Sequence, residues 1–214
     1  AVTALNGEMH QLLVEILGTD DHIVSIANGV DIEGINQPAE FQESFPAMPR
    51  NDYALYLGGL TDKKGVDVLL EAMALLNTSG AAIPLIIAGT GRMEEELRAY
   101  ADANGLGGCV HFVGSAQGDF KRYLFQHCKF VVMPSRTEAF GIVALEAYAC
   151  GKPVIASEIG GLSLLIEDGT SGLLVPAEHP QALADAMTSD AICTIAQDPK
   201  TLQARVEQYD WSHI

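Results

Sequence analysis

An α/β fold, built on one parallel sheet with helices on both faces, is what this 214-residue sequence predicts. Two observations carry that expectation. Short apolar runs recur at 53–57, 85–88, 110–113, 130–133, 154–156 and 173–175, all continuous except for His111, and strands that are apolar throughout, rather than at alternate positions, are buried on both sides. Between most of these runs lie stretches with helical spacing, and strands alternating with helices build a doubly wound parallel sheet. Ligands of such sheets bind beyond the carboxyl ends of the strands. The loops after Leu57, Ala88, Val113, Met133 and Ala156 are therefore expected to converge on one crevice.

Taken in order, residues 2–5 form a short apolar run. Met9, Leu12, Leu13, Ile16 and Leu17 follow at helical spacing and stop at Gly18, so a strand and a helix open the chain. Another apolar run, 22–26, precedes the turn signal Asn28-Gly29-Val30-Asp31. Residues 33–50 contain Pro38, Pro46 and Pro49 with little periodicity and are expected to be an irregular connecting loop. From Tyr53 onward the pattern is regular. Val66, Leu69, Leu70 and Met73 share one face of the first helix, Leu97 and nearby alanines mark the second, Phe120, Tyr123 and Leu124 the third, and Leu183 and Met187 a later one.

Composition agrees with a single globular domain over 1–214: 48% of residues are hydrophobic and 19% charged, and a chain of this size buries roughly 70% of its unfolded surface. Twelve basic residues stand against 28 acidic ones, a formal charge of −16. That balance opposes docking on nucleic acid or an anionic membrane, so any phosphate site must be assembled locally. Cys109, Cys128, Cys150 and Cys193 show no C-x-x-C spacing and read as free thiols of a reducing, cytoplasmic compartment. The six histidines form no H-E-x-x-H pattern and there is no D-x-D triplet, so no metal is expected. No apolar run reaches the ~18 residues of a membrane span, and the start lacks the parts of a signal peptide, so a soluble chain is expected.

The most informative stretch is Pro134-Ser135-Arg136-Thr137-Glu138-Ala139-Phe140-Gly141-Ile142-Val143-Ala144-Leu145-Glu146, followed by Cys150-Gly151-Lys152-Pro153-Val154. It reads as a strand end, a loop, a short helix with a glycine in its first turn, and another buried strand. A helix N-terminus favours an anion such as phosphate. Gly141 lowers helix propensity by roughly 1 kcal/mol relative to alanine, so its benefit is close approach of another group to the backbone. Ser135-x-x-Glu138 also fits a capping box, in which the acid only satisfies the helix start. If the segment between is helical, Glu146 lies about 12 Å beyond Glu138 at ~1.5 Å per residue. That exceeds the roughly 5 to 9.5 Å of a glycosidase carboxyl pair, so the two acids are expected to grip different parts of one long ligand.

Two more loops carry suggestive residues. Gly58-Gly59-Leu60-Thr61-Asp62-Lys63-Lys64-Gly65 joins a strand to the helix near Val66 and brings Lys63 and Lys64 toward a bound anion; paired lysines of this kind are also common as solvated loop residues. Gly89-Thr90-Gly91-Arg92 invites a dinucleotide reading. Glu94 occupies the place of the third glycine of Gly-x-Gly-x-x-Gly, which disfavours a nicotinamide dehydrogenase. Glu158-Ile159-Gly160-Gly161, after the strand at 154–156, is either a ligand loop or a plain strand-to-helix turn.

From about Asn28 to Trp211 the chain resembles the C-terminal, donor-binding domain of the retaining GT-B glycosyltransferases of family four, which have two acidic residues separated by seven others. The resemblance implies one Rossmann-like half of a GT-B fold. It implies that Glu138 lies beside the donor sugar, that Glu146 binds the ribose hydroxyls, and that the Phe140, Gly141 and Ile142 backbone lies against sugar and diphosphate. Lys64 matches the lysine that clamps the pyrophosphate. The family arginine that follows the first glycine of the Gly58 turn is replaced by Gly59, leaving Lys64, Lys63, Arg92 or helix-end amides to neutralise the leaving group. Gly89 and Gly91 match the turn lining the nucleotide pocket, Val113 and Gly114 the backbone that meets the base, and Gly160 and Gly161 the loop near the reacting sugar.

The implied activity is transfer of a hexose from a UDP-, GDP- or ADP-linked sugar to an acceptor hydroxyl, with retention and with no cofactor or metal beyond the nucleotide sugar. The chain then stands as a fragment or separately produced domain, inactive alone and lacking the N-terminal acceptor-binding domain, through which alone it would meet a membrane. A GT-B epimerase or phosphorylase and a non-catalytic nucleotide-sugar-binding module are the alternatives.

Overall fold

The computed structural model describes residues 2–4, 7–25 and 28–213. Its centre is a six-stranded parallel sheet: β3 (Tyr53–Leu57), β4 (Leu85–Ala88), β5 (Val110–Gly114), β6 (Cys128–Met133), β7 (Val154–Ser157) and β8 (Gly172–Val175) lie in the order β5-β4-β3-β6-β7-β8. Numbered from β3, that is 3-2-1-4-5-6, the doubly wound Rossmann order, whose direction of winding reverses between β3 and β6.

The apolar runs are continuous because each strand feeds two cores. Tyr53, Leu55, Ile86, Ala88, Val131 and Met133 point into one, with Leu145 and Tyr148 of α6 (Ile142–Ala149). Ala54, Tyr56, Leu85, Ile87, Phe130 and Val132 point into the other, with Leu69 and Met73 of α3 (Val66–Ser79) and Leu97 of α4 (Glu94–Ala103). Helix α8 (Pro180–Thr188) packs beside α3, while α5 (Gly118–His127), α10 (Pro199–Val206) and α6 cover the opposite face. Two shorter helices, α7 (Gly160–Leu165) and α9 (Asp190–Ile195), follow β7 and α8.

The opening strand and helix are present as β1 (Val2–Ala4) and α1 (Gly7–Leu17), with β2 (Ile23–Ser25) pairing parallel to β1. Leu5 and Ile26, the last residues of the two apolar runs there, lie outside the described residues. These strands make a sheet of their own, and Leu12, Ile16 and Leu17 of α1 are exposed.

One expectation needs correction. The irregular loop at 33–50 begins later than expected, because α2 (Ile32–Asn36) covers its start, capped by the Asp31 carboxylate on the Gly34 N–H at 2.7 Å. Beyond Asn36 no helix or strand intervenes before β3, and Phe41 and Phe45 pin the loop on Tyr123 of α5, each with ring centroids 5.7 Å away.

Candidate functional site

The reversal between β3 and β6 sets the loop after β3 against the loop after β6, and the two are stitched by backbone. Arg136 N–H donates to Lys63 O at 2.8 Å and Thr137 N–H to the same oxygen at 3.3 Å. Gly65, the residue between the 3₁₀ turn Asp62–Lys64 and α3, has φ +64, and a Cβ there would stand 2.0 Å from Pro134 O. A side chain at 65 would force the loops apart, so glycine is required by both conformation and contact.

Across this seam lies an open cleft of about 530 Å³ lined by Thr61, Lys63, Lys64, Arg136, Glu138 and Gly160, among others. Lys64 Nζ donates to Glu138 Oε2 at 2.6 Å, with side chains 32% and 15% exposed. Of the cleft's cations, Lys64 is held by Glu138 and Arg136 by Asp67 and Glu178, while Lys63 has no carboxylate within ion-pair distance among the described residues. Behind the pair, Tyr56 donates its hydroxyl proton to Gly59 O at 2.8 Å. Burial, and then the negative charge of Glu138, raise the Tyr56 pKa, which keeps it a donor.

The capping-box alternative for Glu138 does not hold. The residue that caps α6 is Gly141, at φ +99 with no side-chain cap bond, and Glu138 lies in the loop ahead of it with its carboxylate turned to Lys64. Gly141 is likewise outside the first turn rather than in it. The helical segment that the ~12 Å spacing of the two glutamates requires is absent ahead of Ile142.

Glu146, one turn into α6, opens into a different hollow of about 230 Å³ with Val30, Asp31, Gly34, Gly118 and Lys121. Its carboxylate accepts from Lys121 Nζ. Each glutamate of the motif is thus paired with a lysine from the opposite side of its hollow. Phe140 is buried with its ring edge-on to Tyr209, 5.9 Å between centroids, and Ile142 is 42% exposed at the helix start.

The remaining candidates do not line the cleft around Lys64 and Glu138. Gly58, Gly59, Gly89 and Gly91 form a backbone junction: Gly58 N–H donates to Ala88 O at 3.0 Å and Leu60 N–H to Thr90 O at 2.9 Å. A Cβ on Gly89 would meet Gly58 O at 1.8 Å, and one on Gly91 would meet Leu60 O at 2.2 Å, so both glycines are explained by close packing of two loops. Gly59 differs, since a Cβ there has nothing nearer than 3.9 Å. Arg92 is exposed, Val113 is buried, and Gly114 accepts the Gly89 N–H at 2.7 Å.

Arg136 and Lys121 were not among the expected site residues. Their partners lie 69 and 25 positions away, beyond the reach of a local pattern. Among the described residues no group of three or more His, Cys, Asp or Glu is placed to hold a metal, and no helix is long and apolar enough to cross a membrane.

Comparison with known proteins identifies the family and the fold. The family model described as glycosyl transferases group 1 matches residues 38–201. The D-inositol 3-phosphate glycosyltransferase of Jonesia denitrificans is 33% identical over 221 residues, covering 96% of this chain and 52% of that protein. The D-rhamnosyltransferase WbpZ of Pseudomonas aeruginosa is 38% identical, covering 76% of this chain and 42% of that protein. This chain spans about half the length of such relatives. Among solved structures, Anabaena HepE in complex with UDP-glucose superposes with a TM-score of 0.78 at 25% identity, covering 98% of this chain and 59% of that one. Staphylococcus aureus TarM, at 22% identity and a TM-score of 0.80, covers 98% of this chain and 41% of that one and shares the fold.

Proposed function

The chain belongs to the glycosyl transferases group 1 family, and we propose that it is the donor half of a GT-B enzyme that moves a hexose from a nucleoside-diphosphate sugar to an acceptor hydroxyl with retention. The observation that carries this is Lys64 facing Glu138 at 2.6 Å across the strand-order reversal, a cation and an anion at the crevice where doubly wound sheets take nucleotides. The UDP-glucose held by the Anabaena structure supports a nucleotide sugar as the ligand.

In the reaction the bond from the anomeric carbon to the β-phosphate oxygen breaks and a bond to the acceptor oxygen forms on the same face. The acceptor proton passes to the departing diphosphate. Positive charge develops on the sugar carbon and negative charge on the phosphate, so fixed cations aimed at the leaving group lower the barrier, by roughly 3 kcal/mol for one well-placed donor. Lys64 fills that role, helped by Lys63 and by the amides at the start of α6. Glu138 holds the sugar and supports the positive carbon. Glu146 takes the ribose hydroxyls, and the segment near Val113 and Gly114 meets the base.

This chemistry asks for no metal, because lysines and amides neutralise the diphosphate. The acceptor is bound by a further domain, so the chain alone binds donor without turning it over. Its four free cysteines fit a reducing cytoplasm.

Calorimetric titration with UDP, GDP, ADP and NAD in the presence of EDTA tests the proposal. One nucleoside diphosphate is expected to bind, and Lys64→Ala to weaken it by about tenfold or more, as for loss of a charge-assisted contact. Binding of NAD alone, or of no nucleotide, would contradict it.

A further inference from the structure

Arg136 lies on the wall of the cleft, yet its guanidinium is committed elsewhere. Nη1 and Nη2 donate to Asp67 Oδ1 and Oδ2 at 2.9 and 2.6 Å, a two-pronged pair with the first turn of α3. Nη1 also donates to Asp62 O at 2.7 Å, and Nε to Glu178 Oε1 at 3.0 Å in the loop after β8. Its own N–H donates to Lys63 O at 2.8 Å. One side chain therefore grips the segment that carries Lys64 at both ends, at Asp62, the first residue of the 3₁₀ turn, and at Asp67 in the first turn of α3. The same residue sits two positions ahead of Glu138 on the opposing loop.

We propose that Arg136 is the positioning residue of the donor site: it holds the Lys64 turn in register with Glu138 and acts through Lys64 without touching the ligand. This rests on the donor-site reading above. A planar fork is needed for the task, because only a guanidinium reaches a carboxylate with two parallel bonds while Nη1 also reaches a carbonyl and Nε a second acid. Its three acidic neighbours, Asp67, Glu178 and Asp62, the last at 3.8 Å, also leave it a poor partner for a phosphate. A bare cation serving the diphosphate would not be surrounded in this way.

The test uses Arg136→Ala, Arg136→Lys and Asp67→Asn with two readouts. The first is trace acylation of lysines followed by mass spectrometry, with exposed Lys129 and Lys200 as references. The second is titration with the nucleoside diphosphate that the wild-type chain binds, in wild-type and Lys64→Ala backgrounds.

Arg136→Ala is expected to raise Lys64 acylation severalfold with the references unchanged. It is also expected to lower affinity by about tenfold in the wild-type background and to add nothing to Lys64→Ala, since interacting residues are not additive. Arg136→Lys is expected to behave as Arg136→Ala, and added guanidinium to restore both readouts in Arg136→Ala. If Arg136→Ala does not fold, Asp67→Asn, which breaks the same grip from the other side, decides in the same way. Unchanged Lys64 acylation would overturn the proposal, as would an equal loss of affinity with and without Lys64, the mark of direct contact. If the wild-type chain takes up no diphosphate, the donor-site reading fails, while Lys64 acylation still decides whether Arg136 positions it.

Discussion

Replacing Glu138 by glutamine is predicted to tighten the binding of a bare nucleoside diphosphate while nearly abolishing transfer by the two-domain enzyme proposed above. Lys64 is bonded to Glu138 at 2.6 Å, so a diphosphate must take the ammonium away from the carboxylate and then sit beside the carboxylate it displaced. With side chains 32% and 15% exposed, the pair lies between a surface and a buried ion pair. Gross attraction at 2.6 Å is about 6 kcal/mol at an effective dielectric of 20, and the net worth of exposed pairs is ~0.2–1 kcal/mol after hydration and side-chain entropy. Releasing Lys64 from a pair near the top of that net range, about 1 kcal/mol, corresponds to roughly fivefold tighter binding. Calorimetry of both proteins with the same diphosphate measures it, and the difference should shrink as added salt screens the pair. Equal or weaker binding by Glu138→Gln would refute the competition. A melting-temperature loss as the sole effect of Glu138→Ala would show a merely structural acid.

Three further outcomes follow from the geometry. Glu146→Gln should weaken nucleotide binding by a few-fold while leaving the Lys64 cleft intact, because it loses an anion facing Lys121 in a separate hollow; a nucleotide titration at constant salt checks this. Gly65→Ala puts an L-residue at φ +64 with its Cβ 2.0 Å from Pro134 O. That conformation costs about 1–2 kcal/mol before the overlap is counted, which at ~2–4 °C per kcal/mol lowers the thermal midpoint by several degrees, and calorimetric scanning reads it. For Asp67, burial pulls the carboxyl upward, but the hydrogen bonds and charge of Arg136 outweigh it and hold the group below the ordinary carboxylate range. Such a group adds stability that is fully present above its unfolded pKa of ~3.9 and is lost as pH falls through the lower folded value. Urea unfolding from pH 5 downward should therefore show a shallower loss for Asp67→Asn than for wild type.

Much of the sheet is visible in the sequence because two-sided burial leaves no room for polar interruptions, as at Leu85-Ile86-Ile87-Ala88, all buried. An exposed charge near a strand's start can hide that start: β6 begins at Cys128, but exposed Lys129 breaks the apolar run. Helix α2 was legible in principle, since Asp31 stands where an N-cap acid belongs and Gly34 supplies the amide it binds. The site divides in the same way. Lys64 and Glu138 could be named because the turn and the paired acids resemble a family motif, whereas the lysine 74 positions away that takes the Glu138 carboxylate is a product of topology. Arg136 was present in the motif without any signal of its grip on Asp67. Gly89 and Gly91 illustrate the converse, since a pattern that suggests a ligand turn is accounted for by two backbones in contact.

A crystal structure of this chain soaked with a nucleoside-diphosphate sugar addresses the central claim most directly. The account predicts the Lys64–Glu138 bond opened, the pyrophosphate within ion-pair distance of Lys64, and the sugar against Glu138. A nucleotide seated in another hollow, with that bond intact and the cleft between the β3 and β6 loops empty, would contradict it.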